Sequence, residues 1–232
     1  MPKEKIRNCQ NFGQQSQQPK TQPSQKYHIA LLPTFISQIP IKIFVGIRNL
    51  IFPYKIIGDF LSNNAVVLDV GCGHGTLAGY LAQEEPKRQV LGIDPDTYKI
   101  DYAQKQYHLS NLEFKVATLE SQTGKYTTIT VCDVFYLLND RDKERCLKKI
   151  KRVLKHGGLL IIKETNPNLF VELEETFMKH IGLTFSNQKR LYFKPPQYYQ
   201  QLVTHTGFTI LKAITLSRFF IYQHFILVCE NN

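Results

Sequence analysis

The residues best suited to chemistry begin with an acid and three alternating glycines, in the run LDVGCGHG at positions 68–75. Each glycine weakens a regular element, so three of them indicate a tight turn that comes close to another molecule. An apolar stretch precedes this run and a helical pattern follows it, and the first turn of such a helix offers unpaired amide donors. Asp94 stands about 20 residues further on, where a carboxylate can accept hydrogen bonds from ribose hydroxyls. The spacing predicts a site for a cofactor that contains a nucleoside.

These residues require strands and helices that alternate along the chain. Strands are predicted at AVVLDV, QVLGID, LEFKVA, TTITVCDVFYLL and GGLLIIKET, and helices at 76–83, after the N-cap Asp96, and at 141–155, where HGG is read as a C-cap signal. A further helix, PPQYYQQLVTHTG, precedes two strands, FTILKAITL and FFIYQHFILVCE, that are expected to form a hairpin. The pattern predicts an α/β fold with a Rossmann-like, doubly wound sheet of seven mostly parallel strands, a C-terminal antiparallel hairpin and an N-terminal helical cap.

The run LDVGCGHG, the acid in LGID, and the later CDVFYLL and GGLLIIKE resemble the class I S-adenosylmethionine-dependent methyltransferases, in particular the small-molecule branch that includes quinone-biosynthesis enzymes. The glycines follow the GxGxG form of that family and not the GxGxxG form of dinucleotide-binding proteins. The resemblance runs from about residue 57 to residue 232. It implies S-adenosylmethionine as the cofactor and methyl transfer as the reaction.

The resemblance also implies roles for individual residues at the cofactor site. Asp69 would order the glycine loop, and Gly71 and Gly73 would lie against the amino-acid end of the cofactor. Asp94 would hold both ribose hydroxyls, and Pro95 would contact the adenine. The whole implied cofactor-binding set is Asp69, Gly71, Cys72, Gly73, Gly75, Asp94, Pro95, Thr118, Leu119, Cys132 and Asp133.

The third and fourth strands carry the remaining members of this set. Many relatives have an acid after the third strand that binds the adenine amine, but here the matching residue is Thr118, so that contact is expected from Thr118 or the backbone of Leu119. Cys132 and Asp133 fall where relatives line the methionine portion and the path to the substrate. The CDVFY turn differs from the NPPY-like turn of enzymes that methylate planar amines, which disfavours base N-methylation.

Three residues are candidates for catalysis because they stand at the ends of the last strands. Glu164 and Lys163 end the fifth strand, at the edge where ligands bind in such sheets, and His224 lies in the last strand. Glu164 is the first candidate for a general base, since an insert follows it directly.

The chain divides into a polar, basic tail at 1–27 that is expected to be disordered, an apolar helical cap at 28–62, and a methyltransferase domain at 63–232 with a substrate-covering insert at 165–194. Prolines and cations interrupt the apolar segment, so it is expected to cover the core or to rest on a lipid surface and not to span a membrane. The five cysteines show no metal-ligand or disulfide spacing, which favours a cytoplasmic protein without a metal site.

The net charge of +10 leaves two interpretations of the basic run at 141–155. It is either the solvated face of an amphipathic helix, which is favoured, or a surface for a polyanion. The sequence therefore predicts a methyltransferase for a small hydrophobic or lipid-like acceptor. Peripheral contact with a membrane is a second expectation, and a nucleic-acid partner is less favoured. The alternatives are an RNA or protein methyltransferase and a non-catalytic cofactor-binding module.

Overall fold

A computed structural model describes residues 54–166, 191–218 and 222–232. Within these residues seven strands form one sheet in the order β3-β2-β1-β4-β5-β7-β6. The strands are β1 Val66–Val70, β2 Gln89–Asp94, β3 Leu112–Val116, β4 Tyr126–Cys132, β5 Leu154–Thr165, β6 Phe208–Arg218 and β7 Tyr222–Asn231. β1 to β5 are parallel, and β7 runs antiparallel between β5 and β6. The predicted Rossmann-like sheet with a terminal hairpin is confirmed.

The structure describes five helices, and the last three of them begin at residues suited to helix starts. They are α1 Lys55–Gly58, α2 Thr76–Glu84, α3 Thr97–Gln106, α4 Asp140–Val153 and α5 Pro196–His205, with 3-10 turns at Leu119–Ser121 and Phe135–Leu137. Asp96 caps α3 as predicted, accepting from the amides of Tyr98 and Lys99. Asn139 caps α4 in the same way, and Pro196 opens α5, where a missing amide hydrogen costs nothing. Among the described helices, none is both long and apolar enough to cross a membrane.

The sheet buries a separate apolar layer on each face. Residues that pair across neighbouring strands share a face, so the register assigns each side chain. The front face carries Val67, Val90, Ile161 and Ile226 beneath α1, α2 and α3. The back face carries Leu68, Ile129, Ile162 and Leu227 beneath α4 and α5. This division decides which polar residues at the carboxyl edge of the sheet lie together.

Two details of the strand predictions were wrong. The HGG run does not cap a helix, because α4 ends at Val153 and β5 begins at the next residue. Gly157 therefore lies within β5, where the register between β4 and β5 shifts. The fourth strand also stops at Cys132 and does not continue through the apolar residues after it. Asp133 has a positive φ of 56°, and the chain turns there into the 3-10 turn.

The described part of the predicted cap, residues 54–62, belongs to the front-face core. Ile57 is fully buried beside β1 and α2. The buried Arg88 donates to the carbonyls of Gly58, Leu61 and Ser62 at 3.1, 3.3 and 3.2 Å. The short helix is therefore held by buried donors as well as by apolar contact. The tail, residues 28–53 of the predicted cap, and residues 167–190 of the predicted insert lie outside the described residues.

Many cations of α4 have partners within the domain. Lys148 pairs with Glu144 at 2.6 Å, Arg145 lies 3.4 Å from Glu120, and Lys149 donates to the carbonyl of Glu120 at 2.9 Å. These contacts favour the solvated-face interpretation of the basic helix over a dedicated polyanion surface.

Candidate active site

The glycine loop leaves open space at one of its three glycines. Gly71, Gly73 and Gly75 have φ values of +70°, +55° and +79°. A Cβ on Gly71 would lie 2.5 Å from Cγ2 of Val134, and one on Gly75 would lie 2.6 Å from Cζ of Phe114. A Cβ on Gly73 would meet nothing within 4 Å. Packing within the domain thus requires two of the glycines, whereas Gly73 leaves room for another molecule against bare backbone.

Asp94 joins this loop to the turn after β2. Its Oδ2 accepts from the amide of Gly73 at 3.0 Å, and its Oδ1 accepts from the amide of Asp96 at 2.9 Å. A carboxylate has about four acceptor sites, so each oxygen retains one site for a further donor. The two bonds fix the carboxylate beside the open space at Gly73, in a position to receive two neighbouring hydroxyl groups.

Asp69 lies on the front face at the base of the same loop. It is buried, and its Oδ1 accepts from Oγ1 of Thr130 on β4 at 2.7 Å. The bond links β1 to β4 directly beneath the glycine loop, so Asp69 is fixed before any ligand binds. Thr130 was missed by the sequence analysis, although a hydroxyl residue inside the apolar run TTITVC was a usable signal.

The turns after β2 and β3 present apolar surface next to Asp94. Pro95 and Thr118 are exposed, whereas Leu119 is buried. Val116 pairs with Asp94 across the strands and is 49% exposed, a large value for valine. The carbonyl of Thr118 accepts from the amide and hydroxyl of Ser121, so it is already used within the 3-10 turn. The exposed valine and proline could cover one side of a planar ring.

Cys72 does not have the environment of a nucleophile. Burial and the charges of Asp69 and Asp94 raise the pKa of the Cys72 thiol far above its usual range. A thiol that stays protonated is a poor nucleophile. Cys132 is half-buried at the end of β4, where its strand pairs with Lys163.

Asp133 and Lys163 form an ion pair at the carboxyl edge of the sheet. Nζ of Lys163 lies 2.8 and 2.7 Å from the two oxygens of Asp133. The side chains are 5% exposed for Lys163 and 16% for Asp133. The backbone carbonyl of Lys163 also accepts from the amide of Asp133 at 2.9 Å. These three contacts hold Asp133 at its positive φ, which costs energy for any residue with a Cβ.

His224 joins this group on the front face. It pairs with Thr165 across β5 and β7, and its Nδ1 lies 3.4 Å from Oγ1 of Thr165. Because Lys163 and Thr165 alternate with Glu164 along β5, Lys163 and His224 share the face of Asp69 and Asp94. Two of the three predicted catalytic residues thus lie on the side of the glycine loop.

Glu164, the third candidate, points to the back face. It is fully buried, and its Oε1 accepts from the amides of Val134 and Phe135 at 3.0 and 2.7 Å. Among the described residues its Oε2 has no hydrogen-bond partner. Burial, and then the charge of Asp133, raise the pKa of Glu164 from 4.5 to about 8. The structure does not bring Glu164 together with Lys163 and His224 on one face.

Aromatic residues border the same edge of the sheet. Tyr136 stacks on Phe193 with 5.0 Å between ring centroids, and its carbonyl accepts from the amide of Tyr192 at 2.6 Å. The buried Lys143 donates to the carbonyl of Tyr192 at 3.0 Å. These contacts fix residues 192–193 on the turn after β4. Lys143 was not predicted from the sequence, because a lysine inside a basic helix gives no signal of burial.

Comparison with known proteins identifies what this arrangement is similar to. A family model described as a methyltransferase domain matches residues 67–158. This range contains the glycine loop, Asp94, the turn after β3 and the ion-paired Asp133. The match therefore covers most of the residues that form the open space at Gly73 and its surroundings.

Curated relatives match a larger part of the chain. A putative methyltransferase of Invertebrate iridescent virus 6 is 30% identical over 151 residues, which are 60% of this chain and 55% of that protein. A demethylmenaquinone methyltransferase of Thermotoga maritima is 26% identical over 168 residues, 64% of this chain and 72% of that protein. The chain thus spans about half of the viral relative's length.

A solved structure shares the fold at low sequence identity. The magnesium protoporphyrin IX methyltransferase of Synechocystis PCC 6803 with bound SAH has a TM-score of 0.61 and 20% identity, and the match covers 83% of this chain and 84% of that one. The similarity confirms the architecture.

Proposed function

Residues 67–158 match a methyltransferase domain, and from that premise we propose that the protein transfers a methyl group from S-adenosylmethionine to a small hydrophobic or lipid-like acceptor. The observation that carries the proposal is the open space at Gly73 beside the fixed carboxylate of Asp94. Gly73 belongs to the loop that ends at the start of α2, where free amides favour polar or anionic groups, and Asp94 ends the neighbouring strand β2.

The residues fit the cofactor part by part. Asp94 has two acceptor sites left for the ribose hydroxyls, and Gly73 leaves room for the part attached to the ribose. Val116 and Pro95 offer apolar surface for the adenine ring. When bound, S-adenosylmethionine supplies a methyl group on a sulfonium leaving group. The protein then has to orient the acceptor atom and exclude water.

Lys163, His224 and Asp133 are the polar residues proposed to face the acceptor. Asp133 is held in one orientation by Lys163, so it can accept a hydrogen bond from the acceptor without moving. His224 is the proposed group for removing a proton where the acceptor atom carries one, because imidazole changes charge near neutral pH.

Two observations support a hydrophobic acceptor. Tyr136 and Phe193 present stacked rings at the edge where the acceptor would enter. A relative that matches 64% of this chain is a demethylmenaquinone methyltransferase, whose name describes an apolar quinone substrate. Pockets for such molecules are mainly apolar, with few polar groups. Contact with a membrane surface would give the enzyme access to an acceptor of this kind.

Calorimetry on one pair of variants tests the cofactor site. Gly73 and Gly157 both have positive φ, +55° and +70°, and a Cβ on either would meet nothing within 4 Å. Gly73→Val and Gly157→Val should therefore lose similar stability from backbone strain. Only Gly73→Val should lose most of its affinity for S-adenosylmethionine, because its side chain fills the ligand's space. Equal affinity of the two variants would contradict the site.

The acceptor is tested with labelled S-adenosylmethionine and fractionated lipid, RNA and protein extracts. We expect the labelled methyl group to appear in the lipid fraction. Label in RNA or protein, with binding lost as salt is raised, would favour the macromolecular alternative. Tight cofactor binding without label in any fraction would favour a non-catalytic module.

A further inference from the structure

One oxygen of Glu164 accepts hydrogen bonds from two consecutive backbone amides. The amides of Val134 and Phe135, in the turn that follows β4, donate to Oε1 at 3.0 and 2.7 Å. Two donors that converge on one oxygen fix both the position and the orientation of the turn. The carboxyl group is fully buried on the back face, so it has no route to a substrate on the front face.

The turn held by Glu164 is also part of the cofactor site. Val134 lies so close to the glycine loop that a Cβ on Gly71 would be 2.5 Å from its Cγ2. The residue before it, Asp133, is fixed from the front face by both the side chain and the carbonyl of Lys163. Adjacent residues of β5 therefore hold the same turn from opposite faces of the sheet.

We propose that Glu164 is a positioning residue, which seats Val134 against the glycine loop and holds Asp133 at the acceptor side, and that it does not act as the general base. This inference rests on the proposed function for the role of the glycine loop. It revises the first expectation for Glu164, which followed from its place at the end of a strand. Successive side chains of a strand lie on opposite faces of the sheet, so Lys163, and not Glu164, lies on the front face with Asp94.

The protonation of Glu164 supports this role. Burial and the nearby charge of Asp133 raise its pKa to about 8, so the group is mostly neutral at pH 7. A neutral carboxyl group still accepts two amide hydrogens on its carbonyl oxygen. Glutamine has the same shape and the same carbonyl acceptor, so it should replace Glu164 in a positioning role. It cannot replace a base.

The test compares Glu164→Gln, Glu164→Leu and a control, Ile162→Ala. Ile162 is buried on the same face two residues earlier, so Ile162→Ala lowers stability without removing an acceptor from the turn. Affinity for S-adenosylmethionine is measured by calorimetry at a temperature where every variant is folded. We expect affinity within about twofold of the parent for Glu164→Gln and Ile162→Ala, and a loss of at least about tenfold for Glu164→Leu, equal to 1.4 kcal/mol or more.

Hydrogen exchange of the Val134 and Phe135 amides provides a second measurement that needs no cofactor. Exchange should accelerate in Glu164→Leu and stay near the parent's rate in the other two variants. Absence of cofactor binding by the parent would count against the proposed function, while the exchange rates would still report on Glu164. Should Glu164→Leu fail to fold, Val134→Ala removes the contact with Gly71 and keeps both amides, and it should weaken cofactor binding severalfold.

Three results would overturn the inference. The first is equal loss of affinity in Glu164→Gln and Glu164→Leu, which would mean that the charge is required. The second is unchanged exchange of the two amides in Glu164→Leu. The third is full affinity in Val134→Ala, which would separate the turn from the cofactor site.

Discussion

A buried carboxyl group beside a negative charge makes stability depend on pH in an unusual direction. The groups that act on Glu164 are Asp133, Lys163 and the amides of Phe135 and Val134. Burial dominates, so the folded protein binds the proton of Glu164 more tightly than the unfolded chain does. A carboxyl group whose pKa is higher in the folded state stabilises the fold most at pH values below its pKa in the unfolded chain. This stabilisation is lost as pH rises through the pKa of the folded state.

The free energy of unfolding of the unmodified protein should therefore fall relative to that of Glu164→Gln as pH rises from about 4.5 to about 8. The slope of the difference reaches at most about 1.4 kcal/mol per pH unit. Urea denaturation of both proteins at several pH values across this range measures it. Parallel curves for the two proteins would show that Glu164 has an ordinary pKa in the fold.

Local patterns in the sequence assigned Gly73 and Asp94 to one site, and the structure brings these two residues together. Glycine spacing and an acid after the next strand are local signals, and in the structure the amide of Gly73 donates to Asp94 beside open space. The direction of Glu164 was not predictable in the same way. It depends on strand register, and a shift of one residue moves a side chain to the other face.

At the scale of elements, Arg88 fastens α1 to α2. Its guanidinium donates to three carbonyls of residues 58–62, and its Nη1 lies 2.6 Å from Oε2 of Glu84. Arginine spreads its donors over three nitrogen atoms, and Arg88 uses all three, whereas the donors of lysine share a single nitrogen.

Replacing Arg88 with methionine should lower the free energy of unfolding by about 3 kcal/mol, because buried carbonyls and Glu84 lose their donor. The control is Lys87→Met, an exposed neighbour whose loss should change stability little. Limited proteolysis of residues 54–62 and urea denaturation measure the effect. Equal stability of the two variants would show that apolar contact alone holds α1.

Hydrophobic periodicity predicted the elements themselves, including the exact bounds of β2 and the cap of α3. It failed where irregular backbone replaces periodic structure. The apolar residues after Cys132 read as more strand, but Asp133 at positive φ starts a turn there. That turn is stabilised by Lys163 and Glu164, about 30 residues away along the chain, and no local pattern reports contacts over such a distance.

For the whole molecule, the apolar segment before residue 54 is proposed to serve the acceptor and not the cofactor. Deleting residues 1–26 should change neither cofactor affinity nor turnover, since that tail is polar. The triple variant Ile41→Ser, Phe44→Ser, Val45→Ser should weaken acceptor turnover or association with liposomes, because it removes apolar surface. These positions lie outside the described residues.

Cofactor affinity separates this proposal from a purely structural role. The triple variant should bind S-adenosylmethionine nearly as tightly as the parent. If it unfolds, or loses cofactor in proportion to activity, the segment belongs to the core and the lipid-like acceptor loses support.

The position of β7 between β5 and β6 has a consequence for the order in which the protein is made. β7 is the last of the seven strands along the sequence, yet β5 has no antiparallel neighbour without it. While the ribosome is still translating β6, one edge of β5, the strand with Lys163 and Glu164, has no partner strand. A premature stop codon before residue 222 would leave that edge exposed for good, and exposed edges favour aggregation. His224, which is proposed to face the acceptor, thus joins the sheet only after β7 has left the ribosome.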